Sequence, residues 1–287
     1  MDVAVVGAGR VGTALAVLLQ RAGHVVTAVS GRHATAARAA HYLPGVPVLP
    51  AAAAASSASL VVLAVPDDAL EGMAVTLAET ATFRPEAWVV HVAGASGLEV
   101  LAPVVAAGAR RLAMHPLQTV PDVEGALERI PGSAVAVTAD DEEGERLGER
   151  LALDVGGRPF RLADERRPLY HAAAVFASNY VVTAAGVAEE LFREAGVPDP
   201  VASLLSLATA SLENVARLGP AEALTGPAVR GDAGTVERNL EALRAVAPHA
   251  VAGYVELCRL ALDLGERGGR LSPEGRAAVE GVLSRWT

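Results

Sequence analysis

Three stretches of this chain carry groups that can do chemistry, and the first is made of backbone. Gly7-Ala8-Gly9-Arg10-Val11-Gly12 follows the apolar run Val3-Ala4-Val5-Val6 directly. In a Gly-x-Gly-x-x-Gly loop the first glycine permits a tight turn, the second lets the backbone approach a pyrophosphate, and the third lets the next helix pack closely on the sheet. A phosphate bound there also meets the positive end of that helix. The second stretch is His115-Pro116-Leu117-Gln118-Thr119. An imidazole, an amide and a hydroxyl converge there, either to orient a polar substrate or simply to end a strand. The third is a predicted helix carrying His171, Ser178 and Asn179, with Ser178 almost beneath His171 at 3.6 residues per turn. A buried asparagine needs a partner, which is either a ligand or a neighbouring helix. Further on, Arg230 in the loop 224–232 offers a fork to a carboxylate or phosphate, or an ion pair across an interface. Asp232 reads as the N-cap of the following helix.

Composition removes several alternatives. All 24 basic residues are arginine, so no Schiff base and no lysine acid is available. A proton for a reacting heteroatom must come from histidine, tyrosine, serine or water, and His171 and His115 have the side chain that titrates nearest neutrality. Cys258, the single cysteine, sits in an apolar helical segment and reads as a packed thiol. The seven histidines show no ligand-spaced pair, so no metal is expected. A net charge of −9 without a basic stripe argues against nucleic acid. No apolar run reads as long enough to span a bilayer, and the chain opens on its first strand without room for a signal peptide; a cytoplasmic protein with no membrane partner is expected.

These groups need elements to hold them. Strand, glycine loop, helix and a second strand, 24–30, fill about thirty residues, as a dinucleotide site requires. Where an NAD site usually has an acid at the end of the second strand, this chain has Ser30-Gly31-Arg32-His33. A carboxylate would repel a 2′-phosphate, whereas Ser30 and Arg32 can bind one, so NADP is the expected cofactor. A short third strand is expected at 46–49. A buried strand, 60–65, ends at Pro66-Asp67-Asp68, which puts Val65 and Pro66 against the cofactor and an aspartate at the next helix cap. Strand 88–92 leads to small residues, where Gly94 would let a nicotinamide lie close and Ser96 would reach the substrate. Strands are also expected at 110–114, 133–138 and 158–162. The pattern is α/β: a doubly wound, mostly parallel Rossmann sheet over 1–162, then an all-helical domain over 163–287. From Ala172 to Val187 the chain is apolar on every face, the mark of a helix buried all round. Such a helix needs more cover than short neighbours give, so a homodimer through the helical domain is expected.

With these residues in view, the chain resembles a family of NADP-dependent oxidoreductases that couple a Rossmann-like domain to a helical domain of unassigned function. The resemblance rests on the N-terminal fingerprint, on 115–119, on Phe176-Ala177-Ser178-Asn179-Tyr180 and on 224–232. The layout is more distantly similar to pyrroline-5-carboxylate reductases and β-hydroxyacid dehydrogenases, although the catalytic lysine of the latter has no counterpart here. The resemblance implies a reductase or dehydrogenase moving a hydride between nicotinamide and a small carbonyl, imine or hydroxy acid. His171 or His115 would support proton transfer, with Asn179 orienting the reacting group and Ser178, Gln118, Thr119 and Arg230 contacting substrate. A prephenate-type dehydrogenase, suggested by the His-Pro dipeptide, and a non-catalytic NADP-binding sensor are the alternatives.

Overall fold

The computed structural model describes residues 1–286 and divides into two compact units, Met1–Ser178 and Asn179–Thr287. The strands are β1 (Asp2–Val6), β2 (Val25–Ser30), β3 (Leu60–Leu63), β4 (Trp88–His91), β5 (Arg110–Pro116), β6 (Ala134–Ala139) and β7 (Arg158–Arg161). Helices α1 (Arg10–Arg21), α2 (Thr35–Tyr42), α3 (Ala51–Ser56), α4 (Asp67–Thr80), α5 (Ala102–Ala106), α6 (Val123–Arg129), α7 (Glu142–Asp154) and α8 (Arg167–Ala177) complete the first unit. The second holds α9 (Asn179–Glu194), α10 (Pro200–Leu218), α11 (Pro220–Ala223), α12 (Ala233–Val246), α13 (Val251–Arg267) and α14 (Pro273–Leu283).

Among the described residues the strands form one seven-stranded sheet in the order β2-β1-β3-β4-β5-β6-β7. All neighbours are parallel except β5 and β6. Helices cover both faces, which is why the strands read as unbroken apolar runs and not as alternation. Val3, Val5, Leu60 and Val62 join one core, while Ala4, Val6, Val61 and Leu63 join the other. The chain leaves β1 towards β2 on one side and towards β3 on the other, so the crevice at the C-terminal ends of β1 and β3 is a topological switch point, where open α/β sheets take ligands.

Several expectations change. The predicted strand at 46–49 shrinks to one bridge, Val29 to Val48, beside β2; Pro44, Pro47 and Pro50 lack the N–H groups a ladder needs. β5 does not break at His115 but runs through Pro116. Its antiparallel partner supplies the reason: His115 faces Ala136, Pro116 faces Val135, and the Leu117 amide donates to the Ala134 carbonyl at 2.8 Å. The ladder therefore passes the proline without needing its missing donor. Asp67 and Asp68 lie in the first turn of α4 without capping it; Pro66 holds the cap position. The division between units falls after Ser178 and not near Ala163, because α8 stays with the sheet through its buried Arg167.

The largest change concerns the apolar helix. Ser178, at φ −126° and ψ −69°, interrupts it, so α8 and α9 are separate helices. Neither α9 nor α10 has a buried residue within one chain, so the expected burial on all faces is not met by this chain alone. The pattern records apolar surface, not its cover. By length and composition, with a mean hydropathy of 1.2, the helical stretch Asp164–Glu194 is also sufficient to cross a membrane, contrary to the reading that no run is. The second unit's own core is built from α12, α13 and α14, with Leu240, Leu262 and Val279 fully buried and Cys258 packed beside them as a free thiol.

Candidate functional site

The glycine loop is shaped by contacts that leave no room for side chains. Gly7 has φ +95°, and a Cβ there would lie 2.6 Å from the Ala64 carbonyl carbon. At Gly12 a Cβ would stand 2.4 Å from the Gly7 oxygen. Gly9 differs, since its Cβ would meet nothing nearer than 3.9 Å. Its bareness serves space in front of the loop, not packing within the protein. The amides of Gly7 and Ala8 donate to the Ser30 carbonyl at 2.9 and 2.8 Å, which ties the loop to the end of β2. α1 begins without a side-chain cap and without an acid in its first turn, so its positive end is left for an anion.

Around this loop lies a cavity of about 400 Å³. Gly7, Ala8, Gly9, Ser30, Arg32, Val65 and Pro66, all expected at the cofactor, line it together. So do Thr35 and Arg38, which sequence reasoning passed over. Arg38 donates to the carbonyls of Ala8 and Ala34 at 3.2 and 3.3 Å, so a second guanidinium is fixed near the exposed Arg32. Its signal was its place one turn into the helix after β2. Arg10, exposed at the start of α1, does not line this cavity.

A second cavity, about 310 Å³, shares Ala64 and Val65 with the first and is lined by Val11, Pro116, His115 and Gln118. Thr119 is exposed, and its amide donates to the Gln118 side chain at 2.9 Å. Behind His115 stands a polar cluster carried by α8. Arg167, Tyr170 and His171 are spaced i, i+3, i+4 and so share one helical face. Arg167 is wholly buried. It donates to the carbonyls of Ala93 and Ser96, and to the Thr138 hydroxyl at 2.9 Å. Ser96 thus serves through its carbonyl, in binding Arg167. The Tyr170 hydroxyl and His115 Nδ1 are 2.8 Å apart. Among the described residues, His171 Nδ1 is buried without a hydrogen-bond partner. Both imidazoles face Gly94, where a Cβ would stand 2.7 Å from His171 Nδ1 and 3.0 Å from His115 Nε2.

Electrostatics keep His115 and the neighbouring His91 neutral. Burial, then Arg167 and His171, bring the His115 pKa down to about 4. Burial, then Arg167, brings His91 down to about 3. His91 is a structural ring: Ala93 donates to its Nδ1 at 3.3 Å, and its Nε2 lies 3.2 Å from the Gly97 carbonyl. Burial pushes the Tyr170 phenol up to about 12. Arg167 and Tyr170 were missed from sequence; their spacing with His171 was the available signal.

Ser178 closes the first unit, half-buried, its amide donating to the Ala174 carbonyl. Asn179 and Arg230 belong to the second unit, and both are exposed, so the expected buried asparagine is corrected. Asp232 does cap α12, accepting from the Thr235 amide at 3.0 Å.

Known proteins share this architecture. A candidate NADP oxidoreductase from Bacteroides fragilis is 25% identical over 91% of this chain and 98% of its own, with a TM-score of 0.77. An imine reductase variant from Myxococcus stipitatus, solved with NAD+, is 18% identical over 99% of this chain and 98% of its own, with a TM-score of 0.64. A Plasmodium falciparum pyrroline carboxylate reductase with NADP bound is 14% identical over 92% of this chain and 98% of its own, with a TM-score of 0.58. At the lower two identities the likeness is one of fold. No curated protein matches the sequence. Residues 1–116 match the Rossmann-like domain and residues 133–261 match the domain of unknown function DUF2520, so the chain joins a Rossmann-like domain to a DUF2520 domain.

Proposed function

We propose that this protein is an NADP-dependent oxidoreductase that moves a hydride between nicotinamide and a small carbonyl, imine or hydroxy-acid substrate, and that it acts as a homodimer. The observation that carries the reading is the glycine cradle. It has an uncapped helix start and open space before Gly9, in one cavity with Ser30, Arg32 and Arg38 and without an acid at the end of β2. These residues fit a dinucleotide with a 2′-phosphate: Gly7 to Gly12 would hold the pyrophosphate, and the two arginines and Ser30 the extra phosphate. When bound, NADP(H) supplies or accepts the hydride.

The chain's own contribution is placement and proton handling. Val65 and Pro66 would wall the cofactor, and Gly94 leaves the strand end open. His115 and His171 are the groups that would supply or take a proton at a reacting heteroatom, and Asn179 is proposed to orient that atom. The polar groups beside the second cavity favour an enzyme over a silent sensor. Exposed Val181, Val182, Leu205 and Leu207 on α9 and α10 support a second copy of this chain as their cover.

Titration with NADPH and NADH, followed by a panel of keto acids, imines and hydroxy acids read at the NADPH absorbance, tests the reading. Tighter binding of NADPH and turnover of one member are expected. Replacing Asn179 or the responsible histidine by alanine should then lower turnover about a hundredfold or more while NADPH binding is kept. Failure to bind either dinucleotide would sink the proposal.

A further inference from the structure

We propose that His115 Nε2 and His171 Nδ1 form a seat over Gly94 for one small polar group, a hydroxyl, carbonyl or amine nitrogen, and that Tyr170 and Arg167 are the positioning residues that prepare it. The proposal rests on the reductase reading only for the identity of the group; the seat is a property of the free protein.

The hydrogen bonds assign the protons. Among the described residues the Tyr170 hydroxyl has one hydrogen-bonding partner, His115 Nδ1, at 2.8 Å. Tyr170 is half-buried, and a phenol O–H is a stronger donor than an imidazole N–H while a bare imidazole nitrogen is the stronger acceptor, so Tyr170 donates and Nδ1 accepts. The His115 ring then carries its one proton on Nε2, the nitrogen that faces Gly94. The phenol is fixed for this task by edge-to-face packing on both sides, against His115 at 5.6 Å and Phe160 at 5.9 Å between centroids.

Electrostatics protect the arrangement. The charged and titratable groups around His115 are Arg167, Tyr170 and His171 on α8, His91 on β4, and Asp67 of α4, which lines the same cavity. No carboxylate is among the groups that shift His115, and Asp67 and Asp164 act on Arg167 instead. A cation beside a buried imidazole disfavours a second proton, so the ring stays a neutral donor at Nε2. Arg167 also fixes the frame. By holding the carbonyls of Ala93 and Ser96 it pins the segment on both sides of Gly94. Across that glycine the partnerless His171 Nδ1 supplies the second contact. An unpaired buried nitrogen is costly, and a ligand that meets it removes the cost.

Two-bond proton–nitrogen NMR of the histidine rings in the full chain, without cofactor, reads all of this. His115 is expected as the Nε2–H tautomer at pH 7 and neutral to below pH 5. Tyr170→Phe should mix the tautomers while the NADPH titration is unchanged. Arg167→Met should move the His115 titration up towards 6.5, with Arg167→Lys restoring part of the shift; if the methionine variant does not fold, Tyr170→Phe decides. Gly94→Ala should shift the ring signals of both His115 and His171. His115 found as Nδ1–H, a second proton at pH 7, or no response to Tyr170→Phe or Gly94→Ala would each overturn the proposal. These outcomes are separate from the function assigned above: a chain with the expected tautomer that binds no NADPH sinks the reductase reading alone.

Discussion

β3 in the first unit and α10 in the second are both rich in leucine and valine and have opposite surroundings. Leu63 at the end of β3 is 1% exposed, with helices on both faces of its sheet; Leu207 on α10 is 63% exposed. The first unit spends its apolar residues on its own core and uses buried Arg167 to tie α8 to the strand ends at Ala93, Ser96 and Thr138. The second builds a smaller core from α12 to α14 and leaves α9 and α10 bare. The difference shows that one unit is finished as a fold and the other presents a surface that water does not favour.

The sharpest way to break that contrast is to truncate both leucines. Leu63→Ala should cost about 2–5 kcal/mol in denaturant unfolding, whereas Leu207→Ala should leave the unfolding of dilute protein nearly unchanged. Equal costs would mean that α10 is covered after all. Next, Val182→Arg with Leu205→Arg should weaken self-association roughly a hundredfold, as expected when charges enter an apolar interface. Light scattering should then move towards the 29.2 kDa of one chain. An unmodified protein already at that mass in the low micromolar range would remove the dimer.

Within the first unit, Arg32→Glu together with Arg38→Ala should weaken NADPH about ten- to a hundredfold relative to NADH, the scale of a lost charge-assisted contact. Equal affinities before mutation would refute the phosphate site. The smallest effect is one of pH. The folded-state values of His115 and His91, about 4 and about 3, lie below the ordinary 6.5. Between those values and 6.5 the unfolded chain therefore binds more protons, and stability falls as the pH is lowered through that window. His115→Asn should flatten part of the slope in urea titrations from pH 7 to 4; an unchanged slope would place the sensitivity elsewhere.

How much of this was legible in the sequence depended on whether the cause was local. Val3 to Gly12 spelled out strand, loop and helix, because Gly7 and Gly12 answer to contacts with the loop itself, β1 and the residues just after β3, and Gly9 to the open space before it. Prolines at 44, 47 and 50 were equally visible, yet the apolar pattern at 46–49 was allowed to outweigh them. His115 lines the second cavity, but its strand was cut short, since the antiparallel β6 that carries the ladder past Pro116 is a long-range fact. Arg167 and Tyr170 escaped for a related reason. A charged residue and a phenol at the start of a helix read as solvated until the strand ends that bury them are known. The apolar band of α9 misled in the other direction: composition states what a surface would prefer to touch and is silent on whether this chain supplies it.

Because β6 runs antiparallel and reaches past the end of β4, His115 stands inside a strand ladder, paired to Ala136, and not on a loop. The pocket's rim is a different matter: Gln118 and Val120 lie in the connection that follows, before α6 begins at Val123. Insertions and exchanges between Leu117 and Asp122 therefore fall where chains tolerate variation, while the register of His115 against Ala136 is held by the strand pair. The fold separates the part of the cavity rim that can diversify from the strand beneath it, so lengthening that connection would reshape the cavity's mouth without rebuilding the strand.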